Sequence, residues 1–210
     1  QFVGRSTELA ELLDRLKNPH CRLLTLVGVG GIGKTRLAIR AVEQLQHNVP
    51  DVQYYFVNLQ PVRNSEQLAS GIADVVGVTL SGSVRPEQQL LEYLQRRKAL
   101  LVLDNFEHLL PETEFLTQII KQTSHIKLVI TSRETLNLRE EWLYRVEGLS
   151  VPPSYETRDL ESYDAVQLFV QRAQQVRTGF QLANERAGAV RICQLVEGMR
   201  VDRSRVPLIN

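Results

Sequence analysis

Residues Gly28-Val29-Gly30-Gly31-Ile32-Gly33-Lys34-Thr35 satisfy the pattern G-x-x-x-x-G-K-[ST]. An apolar run, Leu23-Leu24-Thr25-Leu26-Val27, precedes them and is short enough to be a buried strand. Arg36-Leu37-Ala38-Ile39-Arg40-Ala41-Val42-Glu43 follows and is rich in helix formers. Strand, glycine loop, helix is the context in which the pattern binds phosphate. Glycine permits positive φ and lets backbone approach a ligand without a Cβ in the way. Successive N–H groups then form an anion-sized hollow, and the new helix adds its positive end. Lys34 is placed to reach β- and γ-phosphates, and the Thr35 hydroxyl to ligate Mg²⁺.

The flanking chain repeats strand and helix. Leu9, Leu12, Leu13 and Leu16 recur at helical spacing, which predicts a helix over 7–17 ended by Asn18-Pro19. Phe2-Val3-Gly4-Arg5 before it is either a lead-in turn or an extended edge beside an adenine, with Arg5 on a ring nitrogen. Val52 to Leu59 reads as a second strand, and a helix with Leu68, Ile72, Val75 and Val76 on one face ends at Gly77. Ser81-Gly82-Ser83 is a loop, and Pro86 suits the first turn of a helix over 86–97.

Ala99-Leu100-Leu101-Val102-Leu103-Asp104-Asn105 is a continuous apolar run ending in a carboxylate. It reads as a buried parallel strand that delivers Asp104 at its C-terminal end, where open α/β sheets bind ligands. Asp104 is then a Mg²⁺ acid or, alternatively, the cap of a following helix. A helix over 110–122 and a fourth strand, Ile126 to Arg133, come next. Thr131, Ser132 and Arg133 leave that strand on the Asp104 side and are candidates to sense a terminal phosphate. Arg133 could equally pair with its neighbour Glu134. Trp142-Leu143-Tyr144-Arg145-Val146 reads as a short fifth strand, and Leu149-Ser150-Val151-Pro152-Pro153 as a linker. Beyond it, Ala165, Val166, Phe169, Val170, Ala173 and Val176 predict a helix over 160–176. Ala189, Val190, Cys193 and Val196 predict another over 184–197.

This order predicts an α/β fold of the P-loop NTPase type, with a doubly wound, five-stranded, mostly parallel sheet in residues 1–150. Residues 151–199 form a small helical lid-like subdomain, and 200–210 an atypical basic tail foreign to it. A chain of 210 residues with 43% apolar content can bury such a core. The net charge of +1 gives no sign of direct nucleic-acid binding by this piece. Cys21 and Cys193 show no metal spacing or disulfide framework, which fits the reducing cytoplasm. No apolar run approaches the roughly 18 residues of a membrane span, and no leader is apparent. A first residue of Gln points to a piece of a longer protein.

The ordered set resembles the NB-ARC type of STAND nucleotide switch, above all bacterial members inside large regulators of the AfsR and LuxR kinds. The matching stretches are Phe2 to Arg5, Gly28 to Thr35, Leu100 to Asn105, Val129 to Arg133, Trp142 to Val146 and Asp164-Ala165-Val166-Gln167-Leu168-Phe169. The resemblance implies that Val3 and Arg5 frame adenine. It implies that Gly28, Gly30, Gly31, Ile32, Gly33, Lys34, Thr35 and Arg36 bind phosphate, with Thr35 and Asp104 on Mg²⁺ and Arg133 reading the γ-phosphate. The family follows Gly198-Met199 with proline; Arg200 stands here, so the lid is incomplete or the domain stops there.

ATP or ADP with Mg²⁺ is therefore the expected ligand, since no Asn-Lys-x-Asp guanine-reading element is present. The expected role is a slow ATPase used as a switch, with Lys34, Asp104 and Arg133 carrying the chemistry. The expected partners are sensor or effector domains of the same chain, with nucleotide-dependent self-association. Asn105, not Glu, follows Asp104, so no base for water is evident; Glu107 lies close in sequence but reads equally as a solvent-facing helix-entry acid. The Asp104-Asn105 pair also speaks against an AAA-type motor or loader. A P-loop phosphotransferase and a non-hydrolysing interaction module stabilised by nucleotide are the other readings.

Overall fold

The computed structural model describes residues 2–82 and 84–196. Ser83, Gly198, Met199, Arg200 and the tail 200–210 lie outside the described residues. The chain divides into two compact units: Leu9–Gly28 with Lys34–Arg145, and the chain up to Glu8 with Val29–Gly33 and the chain from Val146 onward.

The first of these units is built on five strands: β1 (Leu23–Val27), β2 (Gln53–Asn58), β3 (Ala99–Asp104), β4 (Ile126–Ser132) and β5 (Glu141–Arg145). Their order is β2-β3-β4-β1-β5, and every neighbouring pair is parallel. The expected parallel sheet is present, without an antiparallel member. β1, β3 and β4 are central and buried on both faces, which is why they read as unbroken apolar runs. β2 and β5 are the edges, and each fully buries only one residue, Val57 and Tyr144.

Side chains alternate across the sheet. Leu23, Leu101, Leu103, Leu128 and Ile130 share one core with α3 (Ser65–Val76), α4 (Pro86–Leu94) and α5 (Thr113–Gln122). The opposite parity of β3 and β4, including Val102 and Val129, lies toward α2 (Lys34–Asn48), which contacts β1, β3 and β4. Helix α1 (Ser6–Lys17) buries Leu9, Leu12 and Leu16. The Lys127 ammonium caps its end by donating to the carbonyls of Leu16 and Asn18, both at 2.6 Å. Asn64 caps α3 through its side chain, and Gly77 closes it at φ 76°, where only a left-handed residue fits.

Several helix limits differ from expectation. α4 stops at Leu94, because Gln95 to Lys98 offer nothing to bury. α5 starts at Thr113; Phe106–Glu112 winds as a 3₁₀ turn kinked at Leu109, so the helix expected from 110 begins three residues later. Val75 is 41% exposed and drops out of the α3 core face.

The second unit contains α6 (Asp164–Val176) and α7 (Arg186–Leu195), each preceded by a 3₁₀ turn. Tyr163 is extended, so the helix expected from 160 starts at Asp164. Leu149, Leu160, Val166, Leu182, Ala189, Val190 and Cys193 form its core. Phe169 and Phe180 meet edge to face at 5.7 Å. Val176, expected in the apolar stripe, is 79% exposed at the helix end.

Candidate phosphate-binding site

In the sheet unit, β4 lies between β1 and β3, so three adjacent strands end together. Asp104 is the last residue of β3 and Thr131 the penultimate residue of β4. Thr35 is the second residue of α2. Both hydroxyls donate to one carboxylate oxygen: Thr35 Oγ1 to Asp104 Oδ1 at 2.6 Å, and Thr131 Oγ1 to the same atom at 2.6 Å. The Asn105 N–H donates in turn to Thr131 Oγ1 at 3.0 Å. Thr131 thus acts as a relay that fixes Asp104.

Lys34 opens α2, and its Nζ donates to the Gly28 carbonyl at 2.7 Å. Partial burial lowers its pKa below the ordinary lysine value; Glu107 opposes that shift, Arg133 adds to it, and Asp104 opposes it more weakly. Gly28 also donates its N–H to the Ser132 carbonyl at 3.4 Å, tying the exit of β1 to that of β4.

Of the β4 exit candidates, Ser132 is fully buried and its Oγ accepts the Glu134 N–H at 3.1 Å. Arg133 pairs with Glu107, not with its neighbour Glu134: Nε to Oε1 is 3.0 Å. Of the two sequence readings of Glu107, the solvent-facing one does not hold: its side chain is 20% exposed and its Oε2 is buried with no hydrogen-bond partner. The overlooked signal is Asn105, which takes left-handed φ 71°, ψ 51° and turns the chain back as it leaves β3.

The other unit holds Val29–Gly33 and the N-terminal segment. Gly31 and Gly33 have φ of 81° and 105°, and nothing lies within 4 Å of where a Cβ would sit on either. Arg5 is itself left-handed at φ 60° and its side chain is only 5% exposed. Its Nη2 donates to the carbonyls of Ile32 at 2.9 Å and Glu147 at 2.8 Å, and its Nη1 to Glu8 at 2.9 Å. Two of the five guanidinium N–H groups thus hold the glycine loop and the segment after β5 together, and a third holds Glu8. Val3 and Gly4 precede it, and a Cβ on Gly4 would lie 2.3 Å from the Asp164 carboxyl carbon.

The residues present fit both expected ligands. Open positive-φ glycines leave room for phosphate at the loop. A hydroxyl and a carboxylate converging at the head of α2 are hard oxygen donors of the kind Mg²⁺ takes alongside phosphate oxygens. Among the described residues, no set of three or more His, Cys, Asp or Glu gathers as a protein-only metal cage.

The model of the AAA domain family matches residues 3–138. The chain belongs to the AAA domain family. The Asp104-Asn105 pair does not keep it out of that family. A Mycobacterium tuberculosis protein named as an HTH-type transcriptional regulator is 34% identical over 182 residues, covering 85% of this AAA domain chain and 19% of the relative. The regulatory protein AfsR of Streptomyces griseus is 39% identical over 62 residues, covering 28% of this chain and 6% of that protein. The chain therefore spans about a fifth or less of these relatives. Among solved structures, a STAND protein with a tetratricopeptide-repeat sensor from Pyrococcus horikoshii matches with TM-score 0.54 at 18% identity. That match covers 94% of this chain and 28% of the archaeal one, and it carries the fold alone. No helix of the described residues is long and apolar enough to cross a membrane.

Proposed function

We propose that this AAA domain is an ATP/ADP-binding switch of a signalling or transcription-regulatory protein, and a slow ATPase. The observation that carries the reading is the meeting of Thr35 and Thr131 on Asp104 at adjacent strand exits, directly after an open glycine loop. Gly30, Gly31, Ile32, Gly33 and Arg36 offer loop and helix N–H groups to phosphate, while Gly28, its N–H on the Ser132 carbonyl, supplies the carbonyl on which Lys34 rests. Lys34 exchanges the Gly28 carbonyl for phosphate oxygens. Thr35 and Asp104 would hold Mg²⁺, which would supply neutralisation of phosphate charge there. Arg133 reads the γ-phosphate, and Val3 and Arg5 border the adenine.

Charge-assisted contacts to a single phosphoryl group give the switch its energy. Each is worth roughly 1.5–3 kcal/mol, so two or three cover the ~5.5 kcal/mol that takes an equilibrium from 1:99 to 99:1. The nucleotide state then selects an arrangement of the two units and favours or blocks self-association, with sensor and effector domains of the longer protein reading the result. The relatives' names as transcriptional regulators support that setting.

ATP titrations of the wild type, Lys34→Ala and Asp104→Ala with and without Mg²⁺ test the site. Lys34→Ala is expected to abolish binding and Asp104→Ala to remove the Mg²⁺ dependence while leaving weak binding. Unchanged titration by Lys34→Ala overturns the assignment. Phosphate release measured beside the identity of co-purified nucleotide separates a slow hydrolase from a non-hydrolysing module.

A further inference from the structure

Glu107 is positioned with care by a chain that gains nothing structural from one of its oxygens. Left-handed Asn105 turns the backbone after β3, and fully buried Phe106 anchors the turn. Glu107 is thereby aimed back toward the exit of β4. Its Oε1 meets Arg133 Nε at 3.0 Å, yet its Oε2 is buried and accepts no hydrogen bond. A carboxylate placed only for stability pairs both oxygens or leaves one in water, because a desolvated lone acceptor costs about 1–3 kcal/mol. The carboxylate therefore faces the guanidinium assigned above to the γ-phosphate.

We propose that Glu107 is an internal counter-anion to Arg133, which the γ-phosphate of ATP must displace and which ADP leaves in place. The inference rests on the nucleotide-switch reading and deepens it: the contest between carboxylate and phosphoryl group sets the preference between triphosphate and diphosphate. Without the carboxylate, Arg133 meets the γ-phosphate without first giving up its ion pair. The triphosphate gains, and the diphosphate, which does not reach Arg133, does not.

The test is calorimetric titration of wild type, Glu107→Gln, Arg133→Gln and the double variant with a non-hydrolysable ATP analogue and with ADP, both with Mg²⁺. Circular dichroism melts confirm folding, and Glu107→Asp serves as the charge-retaining control. Glu107→Gln is expected to tighten the analogue by about fivefold, the upper scale of an ion pair whose guanidinium is largely exposed, and to leave ADP within about twofold. The gain should vanish in the Arg133→Gln background, and Glu107→Asp should keep most of the wild-type ratio. An unchanged analogue-to-ADP ratio in Glu107→Gln, or a gain that persists without Arg133, overturns the inference while the nucleotide reading stands. Wild type that binds neither nucleotide overturns both.

Discussion

Replacing Arg5 should loosen the glycine loop before any nucleotide is involved. Its guanidinium donates to the carbonyls of Ile32 and Glu147 at 2.9 and 2.8 Å, positions 27 and 142 residues away. Hydrogen bonds to charged groups contribute about 1.5–3 kcal/mol each, and the partly exposed pair with Glu8 adds at most ~1 kcal/mol. The Glu147 contact is only part-buried, so water recovers some of its loss. Arg5→Ala should then destabilise by about 3 kcal/mol, toward the lower end of the sum. Arg5→Gly provides an internal control. Arg5 sits at φ 60°, and left-handed backbone costs a residue with a Cβ about 1–2 kcal/mol. Glycine removes that strain, so Arg5→Gly should be more stable than Arg5→Ala by about 1 kcal/mol, although it loses the same bonds. Urea unfolding followed by circular dichroism reads both. With an m-value near 2 kcal/mol per molar, Arg5→Ala should lower the midpoint by about 1.5 M. An Arg5→Ala midpoint within about 0.2 M of wild type refutes the reasoning, since that is ~0.4 kcal/mol. An Arg5→Gly variant weaker than Arg5→Ala refutes the strain argument alone.

Two further outcomes follow from neighbouring geometry. Gly4→Ala places a Cβ 2.3 Å from the Asp164 carboxyl carbon at φ 65°, so it should lower the urea midpoint by 1 M or more on the scale of about 2 kcal/mol. Adding Asp164→Ala should return the steric part and leave the strain. Burial depresses the Lys34 pKa, and a bound phosphate raises it again, so binding takes up a proton in the interval between the two values. ATP affinity should therefore fall with rising alkaline pH from below the ordinary lysine range, and calorimetry in buffers of different ionisation enthalpy should show proton uptake there. Affinity flat through that range would contradict it.

The parts legible in the sequence were those set by local pattern. Leu23–Val27 and Ala99–Asp104 are unbroken apolar runs because parallel strands are covered on both faces, and their limits could be read directly. Asp104 was found because a carboxylate ending such a run has few other uses. What the sequence did not carry is long-range pairing. It left the place of β4 between β1 and β3 open, since strand order depends on crossovers and not on composition. It offered Glu134 to Arg133 because proximity in chain order is all a sequence displays; the true partner, Glu107, is reached through a left-handed turn at Asn105. Val75 and Val176 fit apolar stripes yet are exposed, because a stripe records which face could be buried and not where cover ends. The helix expected from 110 gave way to a 3₁₀ turn kinked at Leu109, a backbone departure that apolar spacing does not record.

A phosphate site assembled from strand exits has a consequence for energetics. Three side chains that the proposal gives to nucleotide or metal already have partners within the sheet unit: Lys34 the Gly28 carbonyl, Thr35 the Asp104 carboxylate, Arg133 the Glu107 carboxylate. For these three, ligand binding is an exchange of partners, and its free energy is a difference between similar terms. Small differences suit a switch, because an equilibrium biased by only a few kcal/mol can be reversed by one phosphoryl group. They also localise discrimination. The Lys34 and Thr35 exchanges serve any nucleotide with a β-phosphate and its Mg²⁺, whereas the Arg133 exchange serves only a third phosphate. Preference for ATP over ADP therefore depends on the strength of a single ion pair, and altering Glu107 should shift that preference without altering the grip on the diphosphate.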